Sequence, residues 1–189
     1  LRRGDIRLRG DHNVLNTLAA CAIAGASGAP VAAMREAILA FKAVPHRLET
    51  VREWQGITFV NDSIATAPER VLAALDAYRD RTLVLLLGGR DKKLPWGDLA
   101  RRAAQQAHAV ITFGEAGRMI AEQVAAERAA QGAVTRIEQV STLHDAIRAA
   151  VQLADEEDVV LLSPGGTSYD AYRDFEERGE EFRQIVARL

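Results

Sequence analysis

Cysteine is almost absent from this 189-residue chain: the single Cys21 rules out an internal disulfide framework, and no paired Cys/His cluster suggests structural zinc. An excess of one charge is also missing. Lys and Arg number 24 against 26 Asp and Glu, a formal charge of −2, so no global basic field recruits nucleic acid or anionic lipid. No apolar run nears the roughly 18 residues of a membrane span. The start, Leu1-Arg2-Arg3-Gly4-Asp5, lacks the apolar stretch of a signal peptide. Internal repeats and low-complexity segments are lacking too. What is present is 48% hydrophobic and 26% charged residues, enough apolar content for a core and well away from disorder. The expectation is a soluble protein of a reducing compartment, the cytoplasm, with one compact domain and an appendage.

The appendage comes first. From Asn13, the residues Val14, Leu15, Leu18, Cys21, Ala22 and Ala26 recur at helical spacing, and Gly25 and Gly28 weaken or end that helix. A second helix is expected from Pro30 to Lys42, with Pro30 suited to its first turn. Neither helix is flanked by a strand that completes a βα unit. Residues 1–43 therefore read as the helical tail of another domain, with Arg2–Arg9 as its last strand.

After Pro45 the pattern changes to alternating strands and helices. Strands are expected over Leu48–Arg52, Ile57–Val60, Thr82–Leu87, Ala109–Thr112, Val134–Gln139 and Asp158–Leu162. Helices are expected over Pro68–Tyr78, Trp96–Gln106, Ala116–Ala130, Thr142–Ala154 and Tyr172–Leu189. The runs Leu83-Val84-Leu85-Leu86-Leu87 and Val159-Val160-Leu161-Leu162 are continuously apolar, which strands covered by helices on both faces need. The predicted fold is α/β: a Rossmann-like, doubly wound, mostly parallel sheet over residues 44–189.

In such a sheet a ligand binds outside the carboxyl ends of the strands, so the residues that directly follow strands matter most. Those loops are Asn61 to Pro68, Gly88-Gly89-Arg90-Asp91-Lys92-Lys93, and Ser163-Pro164-Gly165-Gly166-Thr167-Ser168-Tyr169-Asp170. Each permits a plain reading as well. Thr66-x-x-Glu69 has the frame of a helix capping box. Gly88-Gly89 could be only a tight turn, and the 90–93 charges only a solvated loop. The Ser163 loop lacks a Walker frame but offers backbone N–H groups and hydroxyls to an anion. Upstream, Asn13 and Asn16 share a helical face and could read a base edge, although Asn13 could equally cap its helix. Pro45-His46-Arg47-Leu48-Glu49 brings a guanidinium suited to phosphate or carboxylate, or an Arg–Glu pair. Trp54, Trp96 and Cys21 read as packing residues, and His108 and His144 as helix-surface ones. No metal ligand set stands out.

Taken in order, His12-Asn13-x-x-Asn16, Pro45-His46-Arg47-Leu48-Glu49, Asn61-Asp62-Ser63-x-Ala65-Thr66, Gly88-Gly89-x-Asp91-Lys92, Leu162-Ser163-Pro164 to Ser168 and Phe175-Glu176-Glu177-Arg178-Gly179 resemble the Mur ligases. The resemblance runs from Gly10 almost to the end and is closest to the glutamate-adding members. It implies that residues 1–43 end a central ATP-binding domain and that residues 44–189 form the C-terminal Rossmann-like, glutamate-binding domain. It also implies ATP and Mg²⁺ as cofactors, the Mg²⁺ held mainly by the central domain, with UDP-MurNAc-L-alanine and glutamate as substrates. ATP would activate the substrate carboxylate as an acyl phosphate, and the amine of glutamate would attack it to give an amide, ADP and phosphate. By matching motif, Asn13 and Asn16 would hold adenine. His46, Arg47 and Asp62 would meet the rest of the nucleotide, and Thr66, Lys92, Ser168 and the backbone around Phe175 would bind glutamate. Lys92 and Arg47 would be the catalytic cations. Without the central domain's P-loop and metal ligands, these residues alone would not catalyse.

Three positions depart from the family pattern. Ile64 stands where lysine is common, with Arg90 as a possible substitute cation; Ala67 replaces a frequent asparagine; and Gly165-Gly166-Thr167 replaces a small Ala/Cys run. The last change leaves D- or L-glutamate open. Rival readings are a folylpolyglutamate-synthase-like ligase and a noncatalytic Rossmann-like module that binds a nucleotide or partner. A dehydrogenase is weaker, since no G-x-G-x-x-G follows a strand.

Overall fold

The structure, a computed structural model, describes residues 2, 3, 6, 10–41 and 44–189. Most of the strand expected over Arg2–Arg9 lies outside the described residues, and the second helix ends at Ala40 rather than Lys42, because Phe41 is already extended. The chain divides into two units, Leu1–Pro45 and His46–Leu189. The first holds α1 (Asp11–Ala26) and α2 (Val31–Ala40). Helix α1 starts two residues before the periodicity indicates, and its N-cap is Gly10, so Asn13 does not cap it. Apolar side chains are left open here: α2 buries no residue, and Leu15, Leu18, Ile23 and Val31 are all more than half exposed.

The second unit runs β1 (Glu49–Trp54), β2 (Ile57–Asn61), α3 (Pro68–Ala77), β3 (Leu83–Gly88), α4 (Gly97–Gln106), β4 (Ala107–Phe113), α5 (Gly117–Gln131), β5 (Arg136–Gln139), α6 (Leu143–Leu153), β6 (Val159–Gly165) and α7 (Phe175–Ala187). The six strands form one sheet in the order β1-β2-β6-β3-β4-β5. Strands β2, β6, β3, β4 and β5 are parallel, and only β1 is antiparallel, at the edge beside β2. The continuous apolar runs explain the winding. Leu83, Leu85 and Leu87 point to a core shared with α3, α4 and α5, while Val84 and Leu86 point to a second core under α6 and α7. Both faces of each central strand are thus dry, as a doubly wound sheet requires. The α/β expectation from the sequence is met.

Four local expectations are corrected. The C-terminal helix starts at Phe175, not Tyr172, because the Asp174 carboxylate accepts the Glu177 N–H and caps it there, while the Ser168 carbonyl turns the preceding chain by accepting the Ala171 and Tyr172 amides. Strand β5 starts at Arg136, not Val134: the Thr135 hydroxyl is drawn to the Ala104 and Ala107 carbonyls at 2.7 and 2.9 Å, leaving Val134 94% exposed. His108 lies in β4 rather than on a helix, since α4 passes into β4 without a loop. Thr66 is not a helix cap, because Ala67 is the N-cap of α3 and Pro68 its first residue, which shifts the Thr66-x-x-Glu69 frame by one. Among the described residues, no helix is long and apolar enough to cross a membrane.

Candidate active site at the carboxyl edge of the sheet

Parallel β2, β3 and β6 are neighbours through β6, so the loops that leave their carboxyl ends share one edge of the sheet. The β3 and β6 loops are stitched together: Arg90 and Thr167 exchange backbone hydrogen bonds of 2.8 and 2.9 Å. Between the β2 and β3 loops, the Lys92 ammonium donates to the Thr66 hydroxyl at 3.3 Å. Lys92 is exposed and Thr66 half-buried, so this pair offers a cation and a hydroxyl to an incoming carboxylate. Next to it, the buried Trp96 indole N–H donates to Asp91 at 2.9 Å, which fixes the loop carrying Lys92. Trp96 therefore packs, as expected, and also positions a charge. It lies against Gly165, whose φ of 73° and whose 2.7 Å gap to the indole from an added Cβ leave no room for the Ala or Cys of the family pattern.

A buried guanidinium ties the edge from below. Arg178 of α7 is fully buried and donates from Nε to the Ser63 hydroxyl (3.0 Å), from Nη2 to the Ser63 carbonyl (2.9 Å) and from Nη1 to the Gly166 carbonyl (3.2 Å). The Ser63 hydroxyl in turn donates to the Phe175 carbonyl at 2.8 Å. One side chain thus holds the β2 loop, the β6 loop and the start of α7. Burial lowers its pKa to about 10, so it remains charged at neutral pH.

His46 and Asp62 form the other end. The Asn61 amide N–H₂ donates to His46 Nδ1 (3.0 Å) and to the Gly179 carbonyl (3.1 Å), while its oxygen accepts the Ser63 N–H. With Nδ1 as acceptor, His46 is a neutral ring protonated at Nε2. Burial, then the Arg183 charge, lowers its pKa in the same sense. Phe175 meets the ring edge-on at 6.2 Å, and Gly179 lets it approach, since a Cβ there would stand 2.2 Å from Nδ1. Asp62 accepts from Ser163 Oγ at 2.8 Å and from the Leu48 N–H at 3.2 Å. Its pKa is nevertheless raised to about 7, because desolvation outweighs those bonds and the charges of Arg47 and Arg70.

The sequence-derived candidates are thus partly brought together. Thr66 and Lys92 touch; His46 is bonded to Asn61, the residue before Asp62, and Asp62 is bonded to Ser163; Arg47 is exposed and acts electrostatically on Asp62. The Arg47–Glu49 pair does not form, since Glu49 is bound to Arg183 at 2.6 Å. Ser168 follows the stitched Thr167 but is buried, at 2% exposure, and Phe175 uses its carbonyl on Ser63. Arg90, the cation considered in place of a lysine at position 64, pairs with Glu115 at 2.8 Å. Gly89 has a φ of 91°, in line with a tight turn. In the other unit, Asn16 lines a cavity of about 370 Å³ walled mainly by Ala20, Cys21, Met34, Ile38 and Phe41. Asn61 and Arg178 hold these loops together, and motif spacing alone gave neither of them that part.

The class is thus an α/β domain with a doubly wound sheet whose carboxyl edge carries the Lys92 ammonium, the Thr66 hydroxyl and the exposed Arg47 guanidinium. Residues 46–166 match the family described as Mur ligase, glutamate ligase domain, and the chain belongs to that family. It is 41% identical over 186 residues to the UDP-N-acetylmuramoylalanine--D-glutamate ligase of Solibacter usitatus, covering 98% of this chain and 40% of that protein. The enzyme of the same name from Pseudomonas aeruginosa is 40% identical, with 98% and 41% covered. The chain therefore spans about 40% of the length of these relatives. In fold it is similar to a pseudomurein peptide ligase type C from Methanothermus fervidus, with a TM-score of 0.69 at 19% identity over 97% of this chain and 37% of that one. It is also similar to Mycobacterium tuberculosis folylpolyglutamate synthase complexed with ADP and AMPPCP, with a TM-score of 0.68 at 18% identity over 95% and 41%.

Proposed function

We propose that this chain is the C-terminal, glutamate-binding part of an ATP-dependent ligase that joins D-glutamate to UDP-MurNAc-L-alanine. The observation that carries the reading is the Lys92–Thr66 contact at the strand ends, in a chain about 40% identical to ligases of that name. A folylpolyglutamate-synthase-like activity has less support, since that likeness is one of fold at 18% identity. Residues 1–43 fit the helical end of a preceding ATP-binding domain, and the exposed Leu15, Leu18, Ile23 and Val31 suit packing against it.

In this reading the Lys92 ammonium and Thr66 hydroxyl hold the side-chain carboxylate of glutamate. Ser168 and the first amides of α7 take its α-carboxylate. Two fixed carboxylates leave the amine as the group free to move toward an activated carboxyl carbon, so the domain works by positioning. ATP supplies the activation, as an acyl phosphate. Arg47 would meet its phosphates and Asp62 its ribose side, with His46 also a contact of the nucleotide. Mg²⁺ does not fit this edge: among the described residues, the one His and carboxylate grouping close enough to hold a metal is His108, Asp155 and Asp158, which lie at or before the starts of β4 and β6.

Steady-state kinetics of the complete ligase tests the reading, with D- and L-glutamate offered separately. Lys92→Ala should raise the KM for glutamate at least tenfold and leave the KM for ATP within about twofold, since one charge-assisted bond is worth roughly 1.5–3 kcal/mol. Equal loss of both would move Lys92 to the nucleotide side, and absence of turnover with either enantiomer would end the ligase reading.

A further inference from the structure

Arg70 is a cation in an unfavourable place. It lies in the first turn of α3, where the helix dipole disfavours positive charge, and α3 has no side-chain cap to offset it. Its guanidinium folds back across the β2 loop, and Nη1 donates to the Ile64 carbonyl at 3.2 Å. Among the described residues it makes no ion pair with a carboxylate, and it is exposed, so its remaining N–H donors face solvent. Arg47 stands between His46 and Leu48, whose carbonyl and N–H bond to Ile64 and Asp62 of the same loop, and both guanidiniums act on Asp62. That carboxylate does not neutralise them. It is buried, with its two oxygens taken by the Ser163 hydroxyl and the Leu48 N–H. Two guanidiniums thus serve one loop, and neither makes an ion pair among the described residues. The Ile64 side chain, half-exposed on the same loop, adds none.

We propose that Arg70 is a nucleotide-binding residue of this site, gripping the polyphosphate of the nucleoside triphosphate opposite Arg47. This deepens the ligase reading and rests on it for the identity of the nucleotide. An exposed guanidinium held by one backbone carbonyl retains further N–H groups, and two N–H groups of one fork can bind a phosphate. The Ile64 bond favours a rotamer that keeps the guanidinium on the β2 loop, which lowers the ordering cost of binding.

The test uses the complete ligase, with kinetics for ATP and glutamate and calorimetric titration of ADP. Arg70→Ala should raise the KM for ATP about tenfold, leave the KM for glutamate within twofold, and weaken ADP binding. Adding Ile64→Lys to Arg70→Ala puts an ammonium on the same loop and should recover much of the ADP affinity. An unchanged KM for ATP, or a parallel rise in both KM values with a lowered melting temperature and no recovery by Ile64→Lys, overturns the proposal. If the wild type turned over no glutamate, the ligase reading would fall by itself. ADP titration would still decide Arg70: weaker binding in Arg70→Ala upholds its role, and equal binding overturns it.

Discussion

Replacing Arg178 by methionine removes the knot under the candidate site while keeping an unbranched, helix-compatible side chain. The substitution strips donors from the Ser63 and Gly166 carbonyls, both on buried residues. Each buried acceptor left without a partner costs about 1–3 kcal/mol. Part of this is offset, since a guanidinium no longer has to be desolvated. The net expectation is a loss of about 2–4 kcal/mol, or a melting temperature lower by roughly 5–15 °C at this chain length. Urea unfolding followed by tryptophan fluorescence reads the right unit, because Trp54 and Trp96 both belong to His46–Leu189. Arg178→Lys, with one donor group in place of a fork, should fall between the two. A midpoint for Arg178→Met within about 0.5 kcal/mol of wild type would refute the idea that this side chain holds the loops.

Two further substitutions probe the same edge. Asp62, with a folded-state pKa near 7 against an unfolded value of 3.8, gives stability that is fully present below pH 3.8 and lost as pH rises to 7. Asp62→Asn should therefore flatten the stability profile between pH 4 and 7 in urea titrations, and gain on the wild type above pH 7. A parallel profile in the two proteins would remove the claim of a strained buried carboxylate. Gly179→Ala should destabilise by about 1–3 kcal/mol although alanine favours helices, because its Cβ meets His46. His46→Ala should remove most of that penalty in the double variant, as thermal melts would show.

Much of the architecture could be read directly, for a simple reason. Continuous runs such as Leu83–Leu87 can be buried only between two helical layers, and the β/α alternation then leaves few windings. The strand-end loops could be located for the same reason. Arg178 could not, because in a helix that also carries Glu176, Glu177, Glu180, Glu181 and Arg183 an arginine reads as part of a solvated face. Its burial depends on α7 packing over Ser63, a contact 115 residues apart. Arg70 was hidden likewise, since its partner is a backbone carbonyl. Thr66 misled in the opposite way: its capping frame was genuine in sequence, but Pro68 set the helix start one residue too late for it.

The central claim, that Lys92 with Thr66 recognises a carboxylate, is tested most directly by the ratio of kcat/KM for D-glutamate to that for D-glutamine in the complete ligase. The amide differs from the acid by little more than its charge. The account predicts a large preference for glutamate in the wild type that collapses toward unity in Lys92→Ala. A preference that survives the substitution intact would contradict it.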